Sequence, residues 1–237
     1  MHNIPNKLTE VKLRIANSAN KCQRNPDEIT LLAVSKRQSS DKIATAFESG
    51  QQAFGENYLQ EALEKIEALS ALAIEWHFIG PIQANKTRAI ANHFDWVHSI
   101  DRLKVATRLN EQRPITLPKL NVCIQVNIDN EASKSGVAPA DVPALVKQVQ
   151  SMERLCLRGL MAIPQQQAVD DIGVGAVGNN KHRNAFATMH TLFTEMQTQF
   201  PASFDTLSMG MSGDLEQAVN HGSTMVRIGS DIFGVRT

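Results

Sequence analysis

The sequence has no net charge: 24 Lys and Arg residues balance 24 Asp and Glu over 237 positions. That balance argues against a broad basic footprint for nucleic acid and against a polybasic membrane anchor, while leaving room for a small, locally basic pocket. Long apolar runs are missing too. No stretch approaches the roughly 18 uninterrupted apolar residues that a membrane span needs, and the opening M-H-N-I-P-N-K-L-T-E has no apolar leader segment. Cysteine is scarce. Cys22, Cys123 and Cys156 are odd in number, and two lie inside apolar runs, which fits reduced thiols in a cytoplasmic chain better than a disulfide framework. The seven histidines show no H-x-x-H or H-E-x-x-H spacing and the cysteines are scattered, so no metal site is expected. Aromatics make up only 5% of the chain against 42% hydrophobic residues, so the core must be built from Val, Leu, Ile, Ala and Met.

What is present is a rhythm. L-L-A-V (31–34) is apolar without alternation, as a strand covered on both faces should be. Ser39, Ser40 and Asp41 then offer helix caps, Ile43, Ala44 and Phe47 an apolar stripe, and Gly50 a stop. The alternation repeats with strands expected near 52–55, 76–80, 95–100, 121–127, 156–163, 206–210 and 224–229. The intervening helices are expected to begin at Glu56, Asn85, Arg102, Ala140, Asn184 and Gly213. Leu8, Val11, Ile15, Ala16 and Ala19 share one helical face ahead of the first strand. Eight βα units with no linker predict α/β architecture: a single (β/α)8 TIM barrel over residues 1–237 with an additional N-terminal helix. The Gly-rich stretch at about 165–182 is expected to be a mobile loop after the sixth strand.

Functional groups of such barrels gather at the C-terminal ends of the strands. Those exits carry Lys36, Asn57, His77, Ser99, Asn127, Met161, Ser208, Ser212, Arg227, Gly229 and Ser230. S-M-G-M-S-G-D (208–214) runs from a strand through a Gly-bearing turn into a helix, so Ser212 and the N–H groups of Gly213 and Asp214 could face an anion. R-I-G-S-D (227–231) ends the last strand, where Gly229 lets a ligand approach the backbone. Loops after strands seven and eight frequently bind phosphate in barrels. Lys36, emerging among apolar neighbours, is a candidate amine for attack on an aldehyde. A Schiff-base lysine beside a phosphate cradle suits pyridoxal phosphate and a phosphosugar aldolase equally. Trp76 and Trp96 read as packing residues, and Lys134 and Lys181 as solvated loop lysines.

These segments resemble one family in order along the chain. A-V-S-K (33–36), F-G-E-N-Y-L-Q-E (54–61), W-H-F-I-G-P-I-Q (76–83), K-S-G (134–136), R-G-L-M-A-I-P (158–164), L-S-M-G-M-S-x-D (207–214) and G-S-T-M-V-R-I-G (222–229) are similar to the YggS/PROSC family of pyridoxal phosphate homeostasis proteins. The resemblance implies a barrel like the N-terminal domain of alanine racemase, with pyridoxal 5'-phosphate held as a Schiff base on Lys36. It implies that Ser212, Gly213, Gly229 and Ser230 hold the phosphate, that Arg227 faces the pyridine nitrogen, and that Asn57, His77 and Met161 line the pocket. The family often has Thr where this chain has Ser230, which keeps the hydroxyl. The implied role is intracellular vitamin B6 homeostasis, with apo-enzymes as recipients, no catalytic residue and a monomeric state. A weak amino-acid racemase is the alternative. Alanine racemases add a second domain with a second base, for which little sequence follows the last strand here, and racemisation needs a proton removed from one face and returned on the other.

Overall fold

The computed structural model describes residues 3–129, 131, 135–164, 178–201 and 203–234, with side chains from 185 onward in the helix that starts at 178. Eight strands run β1 Thr30–Val34, β2 Ala53–Glu56, β3 Glu75–Phe78, β4 Trp96–Ile100, β5 Leu120–Val126, β6 Leu155–Ala162, β7 Thr206–Ser208 and β8 Met225–Ile228. Each pairs in parallel with its neighbour in sequence, and β1 closes on β8 with Leu32 opposite Arg227. Nine α-helices are described: α1 Ile4–Lys21, α2 Ser40–Glu48, α3 Leu59–Ala68, α4 Thr87–His93, α5 Leu103–Gln112, α6 Val142–Gln150, α7 Gly178–Gln199, α8 Leu215–Asn220 and α9 Ser230–Phe233. The expected barrel is therefore the observed one.

The continuous apolar run of β1 has its cause in this closure. Leu31 and Ala33 face outward into the large core between strands and helices, where Leu8, Val11 and Ile15 of α1 also lie. Leu32 faces inward, packed with Ala53 and Met225. Helix α1 starts where the Asn3 side chain accepts from the Asn6 N–H, and it packs its buried stripe against α8, α9 and α2. Strand β6 bulges where its register with β5 slips beside Cys123. Gly159 there has φ +154°, and a Cβ would meet the Thr206 oxygen at 1.8 Å, so only glycine lets β7 come this close. The neighbouring Arg158 pairs with Asp205 at 2.7 Å and lies 4.7 Å from the Trp96 ring centroid.

Element boundaries differ from expectation in places that matter. Glu56 ends β2 instead of starting a helix, because Ser35 and Lys65 hold its carboxylate; α3 starts only at Leu59. Helix α7 reaches back to Gly178, so the final part of the expected Gly-rich loop is helical, while 165–177 lies outside the described residues. Lys134 and the Lys181 side chain are likewise outside them. Helix α8 begins at Leu215, after a turn over 212–214, and a short helix α9 follows Gly229 at once.

Candidate functional site

Lys36 stands half-buried in the turn that leaves β1. The turn is pinned on both sides of the lysine. Ser35 donates its N–H to Gly55 O (3.0 Å) and its hydroxyl to Glu56 Oε1 (2.6 Å). Lys65 of α3 donates to Ser35 O at 2.8 Å and to Glu56 Oε1 at 2.7 Å, and Arg37 donates its N–H to Glu61. Arg37 takes a left-handed φ of +59°, which a non-glycine residue holds only when its surroundings over-determine it. Glu56 and Lys65 are buried, and burial pushes the Glu56 carboxyl upward while the Lys65 charge pulls it back. A hydrogen-bonded ion pair under a turn fixes where the next side chain emerges.

Across the β1–β8 seam lie the residues expected to face an anion. The Ser212 and Ser230 hydroxyls, from the loops after β7 and β8, approach to 3.3 Å. Gly229 joins β8 to α9, and a Cβ there would press on Val34 O at 3.1 Å. Gly210, with φ +99°, turns the chain out of β7; a Cβ would meet the Ala218 Cβ at 2.4 Å. The Asp214 N–H donates to Met211 O (3.2 Å), so it is not the free anion donor that a helix start at Gly213 implied; Gly213 remains exposed. Sequence reasoning missed Arg14 of α1. It donates to Ser212 O at 3.0 Å, to both carboxylate oxygens of Glu216, and to Asp231 Oδ2 at 2.6 Å, tying the two loops together.

Arg227 points into the barrel from β8 and is buried. It donates to Ser208 O (2.8 Å), Ser208 Oγ (2.8 Å) and Ala162 O (2.9 Å). A guanidinium has five N–H donors, so these acceptors do not exhaust it. Among the described residues no carboxylate lies within ion-pair distance of Arg227; Asp231 pairs with Arg14. Burial pushes the Arg227 pKa down to about 10 against the opposing influence of Asp214 and Cys123. At neutral pH it stays cationic.

A cavity of about 210 Å³ opens between β2, β3, β5 and β6, lined by Asn57, Ile79, Gln125, Asn127 and Ile163 among others. The buried Asn57 Oδ1 has no hydrogen-bond partner among the described residues, an acceptor that a ligand donor would satisfy. His77 and Met161 were expected in the wall. The alternation of the strands sets them lower: His77 precedes Ile79 by two residues, Met161 precedes Ile163 by two, and both are fully buried. Met161 packs with Trp96 and Cys123, and both ring nitrogens of His77 are occupied within the barrel. Trp96 stacks on His77 with centroids 5.2 Å apart, the packing role read from sequence.

A closed eight-stranded barrel with a lysine at the first strand exit and two serine hydroxyls paired after the last two strands defines one class of fold. Residues 13–237 match the family model described as alanine racemase, N-terminal domain. A solved alanine racemase from Corynebacterium glutamicum superposes with a TM-score of 0.69 at 15% identity, covering 98% of this chain and 60% of that one, a likeness of fold alone. Within that class the chain belongs to the pyridoxal phosphate homeostasis protein family. It is 48% identical over 241 aligned positions to the Escherichia coli K12 pyridoxal phosphate homeostasis protein, covering 100% of this chain and 98% of that one. The Pseudomonas aeruginosa protein of the same name is 50% identical over 236 positions, with 100% and 97% covered. PipY of Synechococcus elongatus PCC7942, solved with PLP bound, superposes with a TM-score of 0.79 at 32% identity, covering 98% of this chain and 100% of that one.

Proposed function

We propose that this chain holds pyridoxal 5'-phosphate covalently through the Lys36 amine and acts in intracellular vitamin B6 homeostasis, and so indirectly in amino-acid metabolism. The observation that carries the reading is convergence across the β1–β8 seam. The pinned Lys36 turn, the paired Ser212 and Ser230 hydroxyls and the buried Arg227 cation face one barrel mouth. The donor set fits a phosphorylated pyridine aldehyde: hydroxyls and a glycine approach for the phosphate, an amine for the aldehyde, and unspent guanidinium donors for a ring nitrogen. When bound, the cofactor supplies an aldehyde that condenses with a primary amine with loss of water, and a ring whose electron-withdrawing power rises when its nitrogen is protonated.

The chain's own residues set the rest. Arg14 holds the Ser212 and Asp231 loops at one separation, so the phosphate site is preformed. Arg227 can donate to a pyridine nitrogen but cannot take a proton from it, which keeps that nitrogen unprotonated. Asn57 and Asn127 border the cavity beside the mouth. This arrangement favours retention over turnover, and the chain is read as a cytoplasmic monomer that delivers the cofactor to apo-enzymes and is not itself an enzyme. That the full-length relatives are named for homeostasis supports this.

The visible absorption of the purified protein tests it. An imine band that shifts on adding an amino acid, with no steady exchange of the amino acid's α-hydrogen for solvent deuterium, is the expected result. Sustained exchange abolished by Lys36→Ala would make the chain a weak racemase instead. Light scattering at the mass of one chain tests the monomer.

A further inference from the structure

Beneath the mouth, the barrel interior carries a chain of polar side chains. Glu75, at the N-terminal end of β3, is half-exposed and lines a cavity of about 970 Å³ at the barrel's base with Thr30, Gln51 and Ala53. Its Oε1 lies 2.7 Å from His77 Nε2. His77 Nδ1 lies 2.9 Å from His98 Nε2, and His98 Nδ1 lies 3.0 Å from Ser208 Oγ. Ser208 Oγ in turn accepts from Arg227 at 2.8 Å. His77, His98 and Ser208 are fully buried. The sequence therefore threads hydrogen bonds from the base cavity to the guanidinium at the mouth.

The two ends dictate the direction. A guanidinium only donates, so Ser208 Oγ accepts from Arg227 and turns its own O–H toward His98 Nδ1. His98 then carries its proton on Nε2 and donates to His77 Nδ1. His77 carries its proton on Nε2 and donates to the Glu75 carboxylate, which only accepts. The reverse order would set a bare His77 nitrogen against an ionised carboxylate. Burial holds both imidazoles below their ordinary pKa, His98 further so beside His77 and Arg227. Among the other charges facing the chain, Asp95 favours a charged His77, while Arg158 favours an ionised Glu75. The hydrogen bond from His77 is the largest influence holding the Glu75 carboxyl below its usual range.

We propose that Glu75, His77, His98 and Ser208 are positioning residues, a one-way hydrogen-bonded chain that fixes the Arg227 guanidinium at the cofactor mouth from the opposite end of the barrel. The proposal deepens the cofactor reading and rests on it for what Arg227 faces. Losing the acceptor at Glu75 lets both imidazoles change tautomer. Ser208 Oγ is then shared between a His98 N–H and Arg227, so one of the guanidinium's three anchors weakens while its bonds to Ser208 O and Ala162 O remain.

Long-range proton–nitrogen NMR of the full chain freed of cofactor tests the direction without using the bound state. Both rings should be Nε2–H tautomers in their neutral forms. An Nδ1–H tautomer at either ring overturns the proposal. The second arm uses Glu75→Ala, at a half-exposed position. Nδ1–H tautomers should appear, and release of bound pyridoxal phosphate should quicken about three- to tenfold, the scale of one anchoring hydrogen bond. Glu75→Gln, whose amide oxygen still accepts, should restore both readings. Unchanged tautomers and release in Glu75→Ala would overturn the coupling. Should the wild-type chain bind no cofactor, the functional reading falls, and the tautomers alone still decide the chain's direction.

Discussion

Replacing Lys65 by methionine removes the cation beneath the Lys36 turn and leaves Glu56 buried. The Glu56 side chain is fully buried and that of Lys65 is 7% exposed, with Nζ 2.7 Å from Oε1. At an effective dielectric constant of about 20, unit charges that close attract by about 6 kcal/mol. Removing the lysine also relieves its own desolvation, so the expected loss is about 3–5 kcal/mol, the range for breaking a buried pair from one side. For a chain this long that corresponds to a fall in Tm of about 10 °C. The loss has a definite pH dependence. Burial raises the folded-state pKa of Glu56, and without Lys65 it rises further. A carboxyl raised on folding favours the folded state while protonated, and that contribution disappears as pH rises through the folded pKa. The deficit should therefore be largest near neutrality and shrink toward about pH 5. Urea unfolding of wild type and variant at both pH values measures it. Adding Glu56→Gln to the variant should recover most of the loss, since the other carboxylate that Lys65 holds, Glu61, is 28% exposed and can be solvated. A deficit below about 1 kcal/mol at neutral pH, or one independent of pH, would refute this account of the turn.

Other perturbations separate stability from binding. Arg14→Ala touches partly exposed ion pairs and should cost under about 1 kcal/mol. It should still weaken phosphate and cofactor binding severalfold in titration calorimetry, because the Ser212 and Asp231 loops are no longer tied. Gly210→Ala forces a side chain to φ +99° against Ala218, and should cost about 1–3 kcal/mol by thermal unfolding. Arg227→Glu supplies an acceptor where only a donor stood. It should raise the rate at which bound amino acids exchange their α-hydrogen with solvent, measured by deuterium incorporation; an unchanged rate would remove Arg227 from the explanation of weak turnover.

The barrel was legible because its signals are local. Each strand is a short apolar run, each helix has its stripe and stops, and Lys36 follows immediately from one strand exit. The meeting of Ser212 with Ser230 was legible because each follows closely on the end of one of two neighbouring strands. What stayed hidden is what closure alone creates. Arg14 meets Glu216 and Asp231 from 202 and 217 residues away, and on its own helix it reads as one more surface charge. His98 sits in D-W-V-H-S-I and looks like packing, since nothing local says that His77, Ser208 and Arg227 will surround it. Glu56 read as a helix start because acids favour helix N-termini; only the arrival of Lys65 and Ser35 keeps it in the strand. His77 and Met161, which the resemblance implies line the pocket, are fully buried two residues before Ile79 and Ile163.

The proposed function requires that the mouth hold pyridoxal phosphate on a single amine. Borohydride reduction of the protein loaded with pyridoxal phosphate, followed by peptide mass mapping, tests it most directly. A single phosphopyridoxyl adduct on Lys36, absent in Lys36→Ala, is the expected result. An adduct on another lysine, or none, would contradict it.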